Sequence, residues 1–143
     1  MSGAAGVGAM IDPPVVQGVV HLHSERRANE TADRLAELAR AKGLTVFARI
    51  DFSRDAGEAG LTLRPMIQLV FGNPRAGTPL LAANPAAGLA LPLRALAWED
   101  SDGWSWLSYE APELLIERFD LPAALGANIA GLSALCEAAV SVT

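Results

Sequence analysis

Only two stretches of this chain repeat an apolar residue every three or four positions, and that scarcity decides the fold class. Ala28, Ala32, Leu35, Leu38 and Ala39 form one helical stripe; Leu125, Ile129, Leu132, Cys136 and Ala139 form another within Pro122 to Val140. Most other apolar sequence alternates or runs in blocks of strand length. A parallel sheet needs a helix after nearly every strand, packed on both faces. Two long helices are too few for that. The expectation is an α+β domain: an antiparallel or mixed sheet with helices mainly on one face.

Val15 to His23 reads as the first strand, with Val16, Val20 and Leu22 on one face and Gln17, Val19, His21 and His23 on the other. The helix from about Ala28 to Lys42 follows, with Glu30 and Arg34 spaced as an i, i+4 pair and Gly43 placed as a left-handed stop. Leu44 to Asp51 alternates as a second strand, setting Leu44, Val46, Ala48 and Ile50 against Thr45, Phe47, Arg49 and Asp51. Residues 53–60 suit a connection with at most one helical turn. Pro65 to Phe71 is almost wholly apolar, as an interior strand should be. Gly72-Asn73-Pro74 marks a sharp turn, and Thr78-Pro79 a helix start running to about Ala83. Leu93 to Glu99, the loop Asp100-Ser101-Asp102-Gly103 and Trp104 to Tyr109 make a hairpin. Pro112 opens a short helix to about Arg118, and the long final helix closes the chain.

Of the 143 residues, 51% are apolar and 19% charged, which suits one domain with a real core. Residues 1–14 are rich in Gly and Ala and show no period, so they read as a flexible arm; residues 15–143 form the single domain. The net charge of −5 disfavours both nucleic acid and an anionic membrane surface as partners. Ala76 to Leu93 is uncharged, but Pro79, Pro85 and Pro92 interrupt it; Leu121 to Cys136 is short and carries Gly126, Asn128 and Gly131. Both read as buried soluble structure. The start lacks the basic and apolar blocks of a secretory signal, so the expected location is cytoplasmic.

No phosphate-cradling loop, dinucleotide fingerprint or nucleophile elbow is present. His21 and His23 share a strand face but lack an evident third ligand, so no metal and no cofactor is expected. Cys136 sits on an apolar stripe, where a thiol is a small core group. Asp51, Arg64, Glu99 and Tyr109 each fall near a strand end. Carboxylates such as Asp51 and Glu99 suit acid–base work if they face one another across a pocket; ion pairing with Arg64 and turn capping is the simpler account. Trp98, Trp104 and Trp106 gather on one hairpin, as a core, a subunit interface or an aromatic-lined pocket.

Glu30-Thr31, Arg34-Leu35, residues 42–51 (Lys-Gly-Leu-Thr-Val-Phe-Ala-Arg-Ile-Asp), Leu63-Arg64-Pro65, residues 71–80 (Phe-Gly-Asn-Pro-Arg-Ala-Gly-Thr-Pro-Leu), Leu91-Pro92-Leu93 and Trp98-Glu99-Asp100 together resemble the DUF302 family, a bacterial and archaeal domain of unknown function. The resemblance runs from about Val19 to Ala139. It implies a β-α-β(4)-α fold of the TATA-binding-protein-like class and a homodimer, and brings no established activity, cofactor or substrate. Three departures stand out: Phe52 and Phe119 replace histidines common in relatives, and Tyr109-Glu110-Ala111-Pro112 replaces a Tyr-Asn-Asp-Pro run. Any chemistry those groups carry in relatives is expected to be lost here.

The reading is a non-catalytic homodimer that binds a small apolar ligand, or an interaction domain, with Asp51, Arg64, Asn73, Glu99 and Tyr109 as candidate binding residues. The alternatives are an enzyme using Asp51 or Glu99 with Tyr109, and a purely structural dimer module.

Overall fold

A computed structural model of the chain describes residues 13–142; the arm expected over residues 1–14 lies almost wholly outside them. The elements run β1 (Val19–Ser24), α1 (Ala28–Ala41), β2 (Thr45–Asp51), α2 (Phe52–Glu58), β3 (Met66–Gly72), α3 (Pro74–Ala83), β4 (Leu93–Glu99), β5 (Ser105–Glu110), α4 (Pro112–Arg118) and α5 (Leu132–Val140). Short 3-10 turns occupy Pro85–Leu89 and Ala123–Asn128. All pairings are antiparallel, in the order β1-β5-β4-β3-β2. The first two strands thus form opposite edges, and α1 crosses the sheet between them.

Strand alternation gives the sheet two unlike faces. Val20, Leu22, Ile67, Leu69, Phe71, Ala95, Ala97, Leu107 and Tyr109 point to one core with α1 and α5. The α1 contribution is mostly alanine (Ala28, Ala32, Ala36, Ala39) with Leu35, which lets the helix lie close to the strands. The helix stops as expected: Gly43 has φ +80, and the Gly43 and Leu44 amides return to the Arg40 and Ala39 carbonyls in a Schellman turn. Glu30 does not pair with Arg34. Its carboxylate accepts the Arg27 amide at 3.1 Å across the helix start, and Arg34 pairs with Glu37 instead.

Three local expectations give way to stronger physics. In β2, the register slips between Val46 and Ala48, leaving Phe47 as the extra residue of a β-bulge. The alternation reverses there, so Arg49 turns to the helix side and meets Asp33 at 2.6 Å. In α3, the helix begins not at Thr78-Pro79 but at Asn73-Pro74: the Asn73 side chain accepts the Arg75 amide at 3.0 Å, and Pro74 takes the first helical position. Pro79 then lies inside the helix, where the carbonyl it leaves unpaired is that of exposed Arg75.

The third is the expected final helix, which is broken. Gly126, Asn128 and Gly131 are poor helix formers, and the Asn128 side chain donates to the Ala76 carbonyl at 3.0 Å rather than following the helix. By length and composition, Ala123–Val140 would suffice to cross a membrane, with a mean hydropathy of 1.5. It folds instead as a 3-10 turn and a nine-residue helix serving two cores. Leu132, Leu135, Cys136 and Ala139 pack with the sheet. Ile129 joins Leu80, Ala87, Phe119 and Leu121 in a second core built by the connections.

Candidate functional site

An apolar cleft of about 750 Å³ opens along the seam between the two cores. Leu38, Leu44, Phe71 and Leu135 line it from the first core, and Leu91 and Ile129 from the second. Its floor is the end of the sheet where β2 and β4 begin and β3 leaves. Gly72, Asn73, Pro74, Ala76, Gly77 and Thr78, six residues of the Phe-Gly-Asn-Pro-Arg-Ala-Gly-Thr-Pro-Leu run, form one wall. Phe71 and Leu80 at the two ends of that run are fully buried, one in each core. The run therefore bridges the cores, and its small middle residues border the space between them. The size falls within the usual ~300–1,000 Å³ of small-molecule sites. A second, smaller hollow of about 400 Å³ lies between β5 and α4, where Arg94, Glu110, Glu117 and Arg118 make it more polar.

The residues picked for chemistry do not converge. Asp51 caps α2: its Oδ1 accepts the Ser53 hydroxyl at 2.6 Å and the Arg54 amide at 2.9 Å. These bonds hold its carboxyl below the usual carboxylate range. Arg64 is exposed and has no ion-pair partner among the described residues. Glu99 reaches from β4 to the start of α1, where its carboxylate accepts the buried Ala28 amide at 3.1 Å and the Arg27 guanidinium at 3.2 Å. Asp51, Arg64 and Glu99 lie at the end of the sheet remote from the cleft. Tyr109 is buried beneath α5; burial raises its phenol, opposed by a hydrogen bond with Ser133. Of the five candidates, Asn73 alone borders the cleft. Burial, with the nearby Glu137 carboxylate, pushes the Cys136 thiol up to about 12, which leaves it in the unreactive form at neutral pH.

The face of the sheet away from α1 and α5 carries the aromatic groups. Trp98 and Trp106 stack with centroids 6.3 Å apart, and His23 meets Trp104 and Trp106 edge-on. The hydrogen bonds of His21 fix its tautomer. Nε2 must donate to the Pro14 carbonyl at 2.9 Å, so in the neutral ring Nδ1 accepts the Ser108 hydroxyl at 2.6 Å. The same Ser108 oxygen accepts the Trp98 indole N–H at 2.8 Å. Both ring nitrogens of His21 are thereby occupied. No group of three His, Cys, Asp or Glu among the described residues is placed to hold a metal.

Sequence reasoning expected an apolar ligand and picked Asn73, but did not locate the cleft. Its lining comes from four separate stretches of the chain, 38–47, 71–81, 88–93 and 128–138, each of which reads as ordinary core or turn. The one available signal was the density of small residues between Phe71 and Leu80.

Architecture and site together define a β-α-β(4)-α domain: an antiparallel sheet, helices on one face, and an apolar cleft where the connections meet the core. The chain belongs to the family described as domain of unknown function DUF302, whose profile matches residues 20–139. The crystal structure of an uncharacterized conserved DUF302 protein from Bacillus stearothermophilus is similar in fold, with a TM-score of 0.71 and 21% identity over 87% of this chain and 97% of that one. In sequence, the chain is 43% identical over 104 residues to the fluoride-specific ion channel FluC 1 of Brucella suis biovar 1 and to FluC 2 of Brucella melitensis biotype 1. The matched part is 73% of this chain but only 41% and 38% of those proteins, so the chain spans about two fifths of their length.

Proposed function

We propose that this domain binds a small apolar molecule in the cleft between its two cores, without catalysing a reaction. The observation that carries this reading is the cleft itself: an apolar space of ligand size, walled by Gly72, Asn73, Pro74, Ala76, Gly77 and Thr78. The placement of Asp51, Glu99 and Tyr109 supports the non-catalytic form, since each has a structural task and none borders the cleft. Native mass spectrometry of protein purified from its own host, beside titration with the apolar dye Nile red, tests the reading. A retained small molecule, or saturable dye uptake lost on filling the cleft with Ala134→Trp, is expected. Absence of both would sink it.

The same domain is proposed to assemble as a homodimer through the open sheet face. Val19, Met66, Val70, Leu96 and Trp98 on that face belong to neither core and are half-buried. Leu96→Glu should convert a dimer to a monomer in sedimentation equilibrium; a wild-type monomer at micromolar concentration would end the idea. A second reading follows from the relatives: the domain serves as an accessory module to a fluoride channel. Its support is the 43% identity to a part of proteins bearing that name.

A further inference from the structure

Charge around the cleft is distributed unevenly. The chain carries 16 acidic and 11 basic side chains, yet among the described residues only Lys42 of these borders the cleft. Lys42 is the C-cap of α1, and its amide is fixed to the Leu38 and Ala39 carbonyls at 3.2 and 3.1 Å. Its ammonium is exposed and has no carboxylate partner among the described residues. The remaining polar groups are neutral, and two are already engaged: Asn73 caps α3, and Asn128 holds the Ala76 carbonyl. In a chain with five surplus negative charges, an acidic rim would be the commoner outcome. A lone uncompensated cation on an otherwise uncharged apolar cleft selects for one negative charge on the ligand and for an apolar body behind it.

We propose that the cleft takes a free, singly charged amphiphile of the alkyl or aryl carboxylate class, its apolar body between the two cores and its carboxylate at Lys42. This inference rests on the reading of the cleft as a ligand site. A carboxylate at an exposed ammonium adds modest affinity, while each buried methylene adds about fourfold. The cleft thus sets chain length, and Lys42 sets the head group.

Isothermal titration of the full chain with octanoate, decanoate and decanol separates the two. The expected result is decanoate binding more tightly than octanoate, by up to about fourfold for each of the added methylenes. Lys42→Met should weaken decanoate about two- to fivefold and leave decanol unchanged, and Lys42→Arg should restore decanoate. Thermal melting of the Lys42 variants checks the fold, which an exposed cap side chain should not disturb. If decanol and decanoate both bind, are both lost in Ala134→Trp, and ignore Lys42→Met, the anionic head group is wrong and the cleft stands. If neither binds the wild-type chain, the cleft reading falls with it.

Discussion

Glu99→Ala is the most informative single change, because the sequence offered this residue as an acid–base group and the structure uses it as a clamp. The side chain is only 7% exposed. One oxygen accepts the amide of fully buried Ala28, a first-turn donor of α1 that has no partner within the helix. The other takes Arg27, whose side chain is 73% exposed and rehydrates easily once released. The lost charge-assisted bond is worth about 1.5–3 kcal/mol, and the exposed ion pair about 0–1 kcal/mol. Glu99→Ala should therefore cost roughly 2–3 kcal/mol and lower the melting temperature by about 10 °C. Glu99→Gln keeps the shape and one acceptor for the Ala28 amide, so about 1 kcal/mol should suffice for it. Urea denaturation with matched slopes measures both. A loss below about 0.5 kcal/mol for Glu99→Ala would refute the clamp. So would Gln as damaging as Ala, since that would make the charge rather than the acceptor decisive.

Two further outcomes are expected. Gly18 has φ +80, and a Cβ there would overlap Leu114 Cδ1, so Gly18→Ala should destabilise by at least the ~1–2 kcal/mol of a left-handed backbone, read by chemical denaturation. Asp51 has its folded pKa lowered from the ordinary 3.8, so its contribution is complete above that value and is lost as pH falls through the lowered one. The stability gap between wild type and Asp51→Ala, about 0.5–1 kcal/mol from the lost cap, should hold at neutral pH and close in acid.

What the sequence made legible was whatever depends on neighbours along the chain. The Ala28–Ala39 stripe, the Gly43 stop, the inward Val20 and Leu22 of β1 and the interior place of β3 follow from period and turn chemistry, and each is found in place. The order of elements also sufficed for the one-sided α+β architecture. What stayed hidden depends on contacts distant in sequence. The bulge at Phe47 breaks an alternation that reads as perfect, because pairing with β3 rather than local preference sets the slip. Thr78-Pro79 and Asn73-Pro74 both look like helix starts; burial of Leu80 in the second core favours the earlier one. The last stripe looks continuous until Gly131, where the chain must leave one core for the other. Glu99 capping a helix 71 residues away leaves no local trace. A void is the least legible feature of all, since apolar period reports that a residue faces inward and not whether anything meets it there.

The glycine at position 77 puts the cleft to its sharpest test, because stability and function pull in opposite directions there. Gly77 lies within α3, where glycine costs about 1 kcal/mol relative to alanine. Its φ is not in the left-handed region, and a Cβ added to it would meet no atom within 4 Å. Neither strain nor crowding therefore accounts for glycine. What a side chain at this position would occupy is the cleft, which Gly77 helps to line. Gly77→Ala should raise stability by up to ~1 kcal/mol and leave room for a ligand. Gly77→Leu should be at least as stable as wild type while projecting four carbons into the opening, and should abolish saturable uptake of Nile red. Stability and uptake measured on the same preparations decide the matter. A leucine variant that is stable and still takes up dye at wild-type affinity would place the ligand elsewhere. One that unfolds would mean the helix packs more tightly against its surroundings than the open space at Gly77 implies.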